Sequence, residues 1–497
     1  VSTLSTSSLR PLFKAEQVRE LDRRTIAGGI EGFALMQRAA SSAWHSFRAR
    51  WPHARSVTVL CGGGNNAGDG HVLAALAIQS GLKVQRITLK PLDALKGDVA
   101  RAAELATSAG VACEAWHADC VFSGEVIVDA LVGIGLTGKV TGATQQAIKA
   151  INAAKCPVLA IDIPSGLAAD TGAVLGDAVH ANTTVTFIGD KIGLHTGEAP
   201  AYTGEIDFRP LGVKAQAFFD IPPCAWRLDE GWLTDAFAPR SRTSHKGDMG
   251  HVLVLGGAPG FGGAALLASQ AAVRLGAGKV SLATAPEHIS ASLMRCPEVM
   301  AHGVRGGADL NELPQKADVM VVGPGMGQAA WGQAVLQHAL ASGSPLVVDA
   351  DGLNLLASHW PSERRDNWIL TPHPGEAARL LECSVTDVQA DRPAAARELQ
   401  RRRGGVVVLK GSGSLIAGPG GLVVCPYGNP GMASGGMGDV LSGMLGALVA
   451  QRAEIESSAW LGVMVHALAA DSAAQAQGER GLLASDLASY ARVLINP

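Results

Sequence analysis

The sequence predicts an α/β protein of two domains, and three observations carry that prediction. Short Val/Ile/Leu-rich runs alternate with Ala-rich helical stretches through most of the 497 residues, the pattern of buried parallel strands joined by helices. The 61 glycines cluster directly after the apolar runs, where tight turns at strand ends meet ligands. The rhythm also breaks once, after Phe208, in a chain longer than one hydrophobic core can serve.

Taken in order, the start VSTLSTSSLRPLF lacks the apolar core of a signal peptide, so residues 1–13 read as a loose tail. SVTVLCG, LKVQRITL, EVIVDALVG, PVLAIDIPSG and TTVTFIG read as strands of a first domain, residues 14–215. Between them HVLAALAIQSG and GATQQAIKAINAA have helical composition and stop near Gly or before Pro. The stretch RPLGVKAQAFFDIPPCAWRLDEGWL carries Pro210, Pro222 and Pro223 without periodicity, which places a linker at 216–227. A second series fills 228–497: GHVLVLGG, GKVSLATA, ADVMVVGPG, SPLVVDADG, WILTPHPGE, GGVVVLKGSGS and GLVVCP. Two Ala/Gly-rich helices stand out there, GGAALLASQAAVRLGAG and ASGGMGDVLSGMLGALVAQ.

Composition narrows the function. Hydrophobic residues at 47% and charged residues at 17% exclude a disordered chain, and a net charge of -3 gives no reason to expect nucleic acid or an anionic membrane. No run approaches the roughly 20 apolar residues of a membrane span. A cytoplasmic small-molecule enzyme is expected. Eight scattered cysteines show neither a Cys-x-x-Cys pair nor a His in metal-ligand spacing, so they read as reduced thiols.

The stretch YGNPGMASGGMGDVLSGMLGAL points to phosphate chemistry. Gly435, Gly436 and Gly438 offer backbone amides and the positive end of a helix dipole to a phosphate. Asp439 then serves as a general base, accepting a substrate hydroxyl proton while the loop spreads the developing charge. The helix terminus is expected to keep Asp439 ionised. With NPGMAS before it, and with TPHPGEAARLL, VVDADGLNLL, VVGPGMG and HKGDMGHVLVLGGAPGFGGAALLASQAAVRLGAGKV in the same order, the second half resembles the ribokinase-like superfamily, in the branch of the NAD(P)H-hydrate dehydratases. That resemblance implies nucleotide contacts from Lys410, Gly411, Ser412, Gly413, Ser414 and Gly438. It implies dinucleotide contacts from Ala264, Gly325, Gly327, His373 and Asp439. Without a Walker A sequence, Mg2+ is expected to arrive with the nucleotide.

In the first half, SVTVLCGGGNNAGDGHVLAALAIQSG has a strand, a loop and a helix, but polar Asn65, Asn66 and Asp69 stand where a dinucleotide fingerprint would continue with small residues. VDALVGIGLTGK adds Asp129, and AIDIPSGL adds Asp162 and Ser165. Asn66, Asp129 and Ser165 could share a weakly held monovalent cation, since one carboxylate with neutral oxygens suits potassium better than zinc. These residues, with the early helix AEQVRELDRRTI, resemble the NAD(P)H-hydrate epimerases, whose loop appears here as NNAGDG with Ala67 in place of a glycine. The resemblance implies that Asn65, Asn66, Ala67, Gly68, Asp69 and the loop Gly133, Ile134, Gly135, Leu136, Thr137, Gly138 and Lys139 hold a hydrated dinucleotide. It makes Asp162 the acid/base group.

The expectation is therefore a Rossmann-like three-layer α/β/α domain followed by a ribokinase-like α/β domain. Together they would epimerise and then dehydrate NADHX or NADPHX with ADP, K+ and Mg2+, without nucleic acid or membrane partners and as a homo-oligomer. The rival reading is a vitamin or sugar kinase with a non-catalytic N-terminal binding domain, because the same loop and base would serve a stable phosphorylated product.

Overall fold

The apolar runs form strands in two units. In the computed structural model, which describes residues 9–496 apart from 312, 314–316 and 452–453, one unit spans Pro11–Ala225 and the other runs from Trp226 onward, taking in Leu9 and Arg10.

The first unit holds a seven-stranded sheet, every neighbouring pair parallel. Its strands are β2 (Ser56–Cys61), β3 (Lys83–Thr88), β4 (Cys113–Ala115), β5 (Val126–Ala130), β6 (Val158–Ile161), β7 (Thr183–Phe187) and β9 (Glu205–Arg209), in the order β4-β3-β2-β5-β6-β7-β9. Alternation along each strand feeds two cores. Val57, Val59 and Val128 pack with helices Gly32–Arg50, Asn65–Gln79 and Gly97–Ser108. Leu60, Ile127 and Val158 pack with helix Gly142–Ala153. This is the three-layer arrangement expected.

Residues 1–8 of the expected tail lie outside the described residues, but the rest of it is structured. Arg10–Phe13 is strand β1, pairing in parallel with β8 (Asp190–Lys191) through Leu12 with Asp190 and Phe13 with Lys191. Burial of Leu12 and Phe13 explains why these residues leave solvent. The expected linker is also partly structured, for β10 (Ala225–Arg227) joins the second sheet beside β19 (Gly421–Cys425).

The second sheet runs β13 (Met300–Gly303), β12 (Lys279–Thr284), β11 (His251–Leu255), β14 (Val319–Val322), β15 (Leu346–Val348), β16 (Trp368–Leu370), β17 (Val406–Leu409), then β18 (Ser414–Gly418), β19 and β10. It is parallel as far as β17 and antiparallel through β18 and β19. Helix Met437–Ala450 lies against helix Gly262–Arg274 so closely that a Cβ on Gly443 would stand 2.0 Å from the Ala268 carbonyl oxygen. On its sheet side, a Cβ on Gly446 would meet the Val321 side chain at 2.5 Å. Those two glycines let the helix settle onto its neighbours and fix where its N-terminus points.

Candidate functional site

In the second unit the carboxyl ends of β14 to β17 and the N-terminus of helix Met437–Ala450 meet. The Gly435–Gly436 turn precedes that helix, with Gly436 at φ 92°, a left-handed conformation suited to glycine, and Gly438 is the helix's second residue. Asp439 stands in the first helical turn. Lys410 follows β17, and its ammonium donates to Asp349 Oδ1 at 2.7 Å and lies 3.9 Å from Glu376 Oε2. Asp349 follows β15 and takes a second hydrogen bond, on Oδ2, from Ser442 Oγ at 2.6 Å. A Cβ on Gly438 would lie 3.2 Å from Lys410 Nζ and 3.4 Å from Asp349 Oδ2, so the glycine loop abuts this ion pair.

The electrostatics divide the labour among the carboxyls. Burial pushes Asp349 up, but the Lys410 charge and hydrogen bonds from Lys410, Ser442 and Thr371 outweigh it and hold the group below the ordinary carboxylate value. Burial and then repulsion from Asp349 drive Asp439 up to about 7, with Lys410 opposing. Burial and the Asp349 charge thus oppose the expected help of the helix terminus in keeping Asp439 ionised. Desolvation beside an existing anion brings the group into the range near pH 7 that suits a general base. Burial likewise carries Glu376 up to about 7.

His373 begins helix Pro374–Leu381, where its Nδ1 accepts from the Gly375 and Glu376 amides at 2.9 and 3.4 Å. In the neutral ring the proton is therefore on Nε2, a donor on a half-exposed side chain. Ala264 and Gly325 face each other, the Ala264 Cβ lying 3.1 Å from where a Cβ on Gly325 would stand. The Gly327 amide donates to Asp351 Oδ2 at 2.9 Å. Gly325 and Gly327 both take left-handed backbone, at φ 58° and 66°. In the Lys410–Ser414 segment, Gly411 and Ser412 are exposed, Gly413 is buried, and Ser414 Oγ donates to the Gly411 carbonyl at 3.0 Å. Lys410 itself turns into the ion pair, next to Gly438 and not out along this exposed loop.

In the first unit a cavity of about 720 Å³ opens at the carboxyl edge of the sheet, lined among others by Asn65, Asn66, Asp69, Gly133, Ile134, Gly135, Asp162 and Lys191. A Cβ on Gly133 would stand 3.1 Å from Asp162 Oδ2 and 3.3 Å from the Asn66 Cβ, so residues far apart in sequence form one wall. Asp162 sits at φ 68°, a left-handed backbone unusual outside glycine. It is ion-paired with the fully buried Lys191 ammonium, which also donates to Thr186 Oγ1 at 2.8 Å and the Phe187 carbonyl at 3.1 Å. Burial raises Asp22 to about 6 and Asp69 well above the usual range.

The remaining expected contacts divide. Ala67 is fully buried in the core and Gly68 packs on Met36, so these two face away from solvent. Ala67 is helical, which removes any need for glycine there. Leu136 packs against the core around Leu60, while Thr137, Gly138 and Lys139 are exposed. Of the expected cation ligands, Ser165 Oγ donates to Asp129 Oδ1 at 2.7 Å, and Asp129 Oδ2 accepts from the Ser165 amide at 2.8 Å. The Asn66 side-chain amide is buried with neither polar atom hydrogen-bonded. The structure thus brings Asp129 and Ser165 together, and carboxylate, hydroxyl and amide oxygens are donor types that suit a large monovalent cation.

Sequence reasoning missed Lys191, Asp349, Ser442 and Glu376. The string VVDADG carried Asp349 in plain view, and an acid at a strand end was its signal. Lys191 had none, being a single lysine after an unremarkable IGD.

Fold and site together define a fused pair of α/β units. One has an acidic cavity walled by glycines, and the other has a carboxylate poised over a glycine loop. Residues 252–492 match the family described as NAD(P)H-hydrate dehydratase, and residues 32–193 match that described as YjeF-related protein N-terminus. Over 487 residues the chain is 48% identical to the bifunctional NAD(P)H-hydrate repair enzyme Nnr of Coxiella burnetii, covering 98% of this chain and 99% of that one. Over 470 residues it is 42% identical to the protein of the same description from Escherichia coli K12, covering 94% and 90%. A ribokinase-like superfamily protein of Enterococcus faecalis, of solved structure, matches with a TM-score of 0.50 at 28% identity, over 54% of this chain and 94% of its own. The chain belongs to the bifunctional NAD(P)H-hydrate repair enzymes.

Proposed function

We propose that the two units act in series on hydrated reduced nicotinamide cofactors, NADHX and NADPHX. The first interconverts the R and S forms at C6, and the second dehydrates the S form at the expense of ADP, giving AMP and phosphate. The observation that carries this reading is the placement of Asp439 in the first turn of helix Met437–Ala450, directly after the glycine turn and next to Gly438, which abuts the Lys410–Asp349 pair. Asp439 takes the proton of the C6 hydroxyl as its oxygen attacks the terminal phosphoryl group of ADP. The amides of residues 435–438 receive the charge that develops on that group. The ring nitrogen then expels phosphate from C6, and loss of a C5 proton restores the double bond. His373 Nε2 and the Ala264–Gly325 wall would orient the dinucleotide. Magnesium bound to the nucleotide phosphates would neutralise part of their charge.

In the first unit, C6 is a hemiaminal carbon whose configuration is lost when a C–O or C–N bond opens and re-forms. Asp162 takes and returns the proton, and the Lys191 ammonium fixes its orientation. Asn66, Asp129 and Ser165 would hold a potassium ion, which supplies positive charge toward the dinucleotide.

The direct test gives the protein both epimers with ADP and Mg2+ and follows reduced-nicotinamide absorbance. Complete recovery, faster than spontaneous exchange of the epimers, is expected. A stable phosphorylated product without reduced nicotinamide would establish a kinase instead.

A further inference from the structure

Glu114 ends near a turn that carries two other metal-ligating side chains, and none of the three lines the catalytic cavity. His117 Nε2 lies 3.6 Å from Glu114 Oε1, and Cys120 Sγ lies 3.6 Å from the same oxygen. All three ligand atoms fall within 4.8 Å of one another. Bond lengths of about 2.0–2.3 Å to zinc put the edges of its tetrahedron at about 3.3–3.8 Å, so both spacings from Glu114 Oε1 already match an edge. Local structure holds it there. The Cys120 amide closes a turn onto the His117 carbonyl at 3.1 Å, and the Trp116 amide ties the loop to the Thr88 carbonyl at 2.9 Å. Gln85 Nε2 donates to Glu114 Oε2 at 3.0 Å, fixing the carboxylate so that Oε1 faces the histidine and the cysteine. The sequence reading saw no histidine in metal-ligand spacing, because a Glu-x-x-His-x-x-Cys string becomes a cluster only once strand β4 and the turn are in place.

We propose that Glu114, His117 and Cys120 form a binding site for a zinc-class divalent cation, with the fourth coordination position open to solvent. A thiolate, an imidazole and one carboxylate select zinc over the hard cations that serve the nucleotide or the potassium position. The bound ion would pin the 114–120 loop to the edge of the first sheet.

The experiment titrates the chelator-treated full-length chain with Zn2+ against a chromophoric chelator, and separately with Co2+. Wild type is expected to bind one Zn2+ more than Cys120→Ser, to lose about tenfold or more in affinity on His117→Ala, and to show a thiolate-to-cobalt charge-transfer band that Cys120→Ser abolishes. Zn2+ should also raise the melting temperature of wild type but not of Cys120→Ser. The side chains of Glu114 and His117 are 42% and 58% exposed, and circular dichroism of the metal-free variants checks that they fold as wild type does. Equal stoichiometry in wild type and Cys120→Ser, or a cobalt spectrum without the charge-transfer band, overturns the site.

Discussion

At the scale of the residue, the second site depends on one carboxyl kept hard to ionise and a neighbour kept ionised. Asp349 holds its charge through Lys410 and Ser442, and that charge helps raise Asp439 to about 7. A base must be deprotonated to act, so kcat/KM for dehydration should fall by about tenfold per pH unit below about pH 7 and level off above it. A profile flat from pH 5 to 8 would remove Asp439 as the base. Asp439→Asn should lower kcat by about 10²–10⁴ while leaving nucleotide affinity, measured by calorimetry, near that of wild type. In the epimerisation proposed for the first unit, Lys191 is a positioning residue through its ion pair with Asp162. Lys191→Met removes the partner of Asp162 and should cut epimer exchange strongly, with dehydration of the pure S form unaffected.

At the scale of the element, glycines in helix Met437–Ala450 and in the turn before it serve different ends. The Gly443 hydrogen faces the Ala268 carbonyl with no room for a methyl group, and backbone cannot turn aside as a side chain can. Gly443→Ala should therefore cost about 1–3 kcal/mol, read as a lower melting temperature. A Cβ on Gly435 meets nothing within 4 Å, so Gly435→Ala should leave stability unchanged and act, if at all, on nucleotide turnover. Elements buried on both faces were legible in the sequence, since β6 and β14 are unbroken apolar runs and β2 and β5 are apolar except for one or two polar residues. The edge strands β4, β9 and β13 were not, because they are half exposed and show no such run. The same logic divides the site. Asp439 and the glycine loop are contiguous and could be read directly. Lys191 meets Asp162 across 29 positions, Lys410 meets Asp349 across 61, and Ser442 meets Asp349 across 93. Those pairings exist only after parallel strands bring their carboxyl ends together.

At the scale of the molecule, each unit has its own sheet, core and site, so the two activities should be separable by single substitutions. Given both epimers with ADP and Mg2+, Asp162→Asn should recover reduced cofactor from the S form at the wild-type rate and then continue only as fast as the epimers exchange unaided. Asp439→Asn should recover none while still equilibrating R and S, which chromatography of the hydrates would show. Equal amounts of the two variants, neither able alone to convert the whole mixture faster than the epimers exchange unaided, should together do so. The R form released by one molecule as S can be captured by another, provided the intermediate passes through solvent. If the combined variants stall where Asp162→Asn alone stalls, then either Asp439→Asn has lost its epimerase unit or the hydrate does not leave the chain. Assaying epimer exchange by Asp439→Asn alone separates those two results.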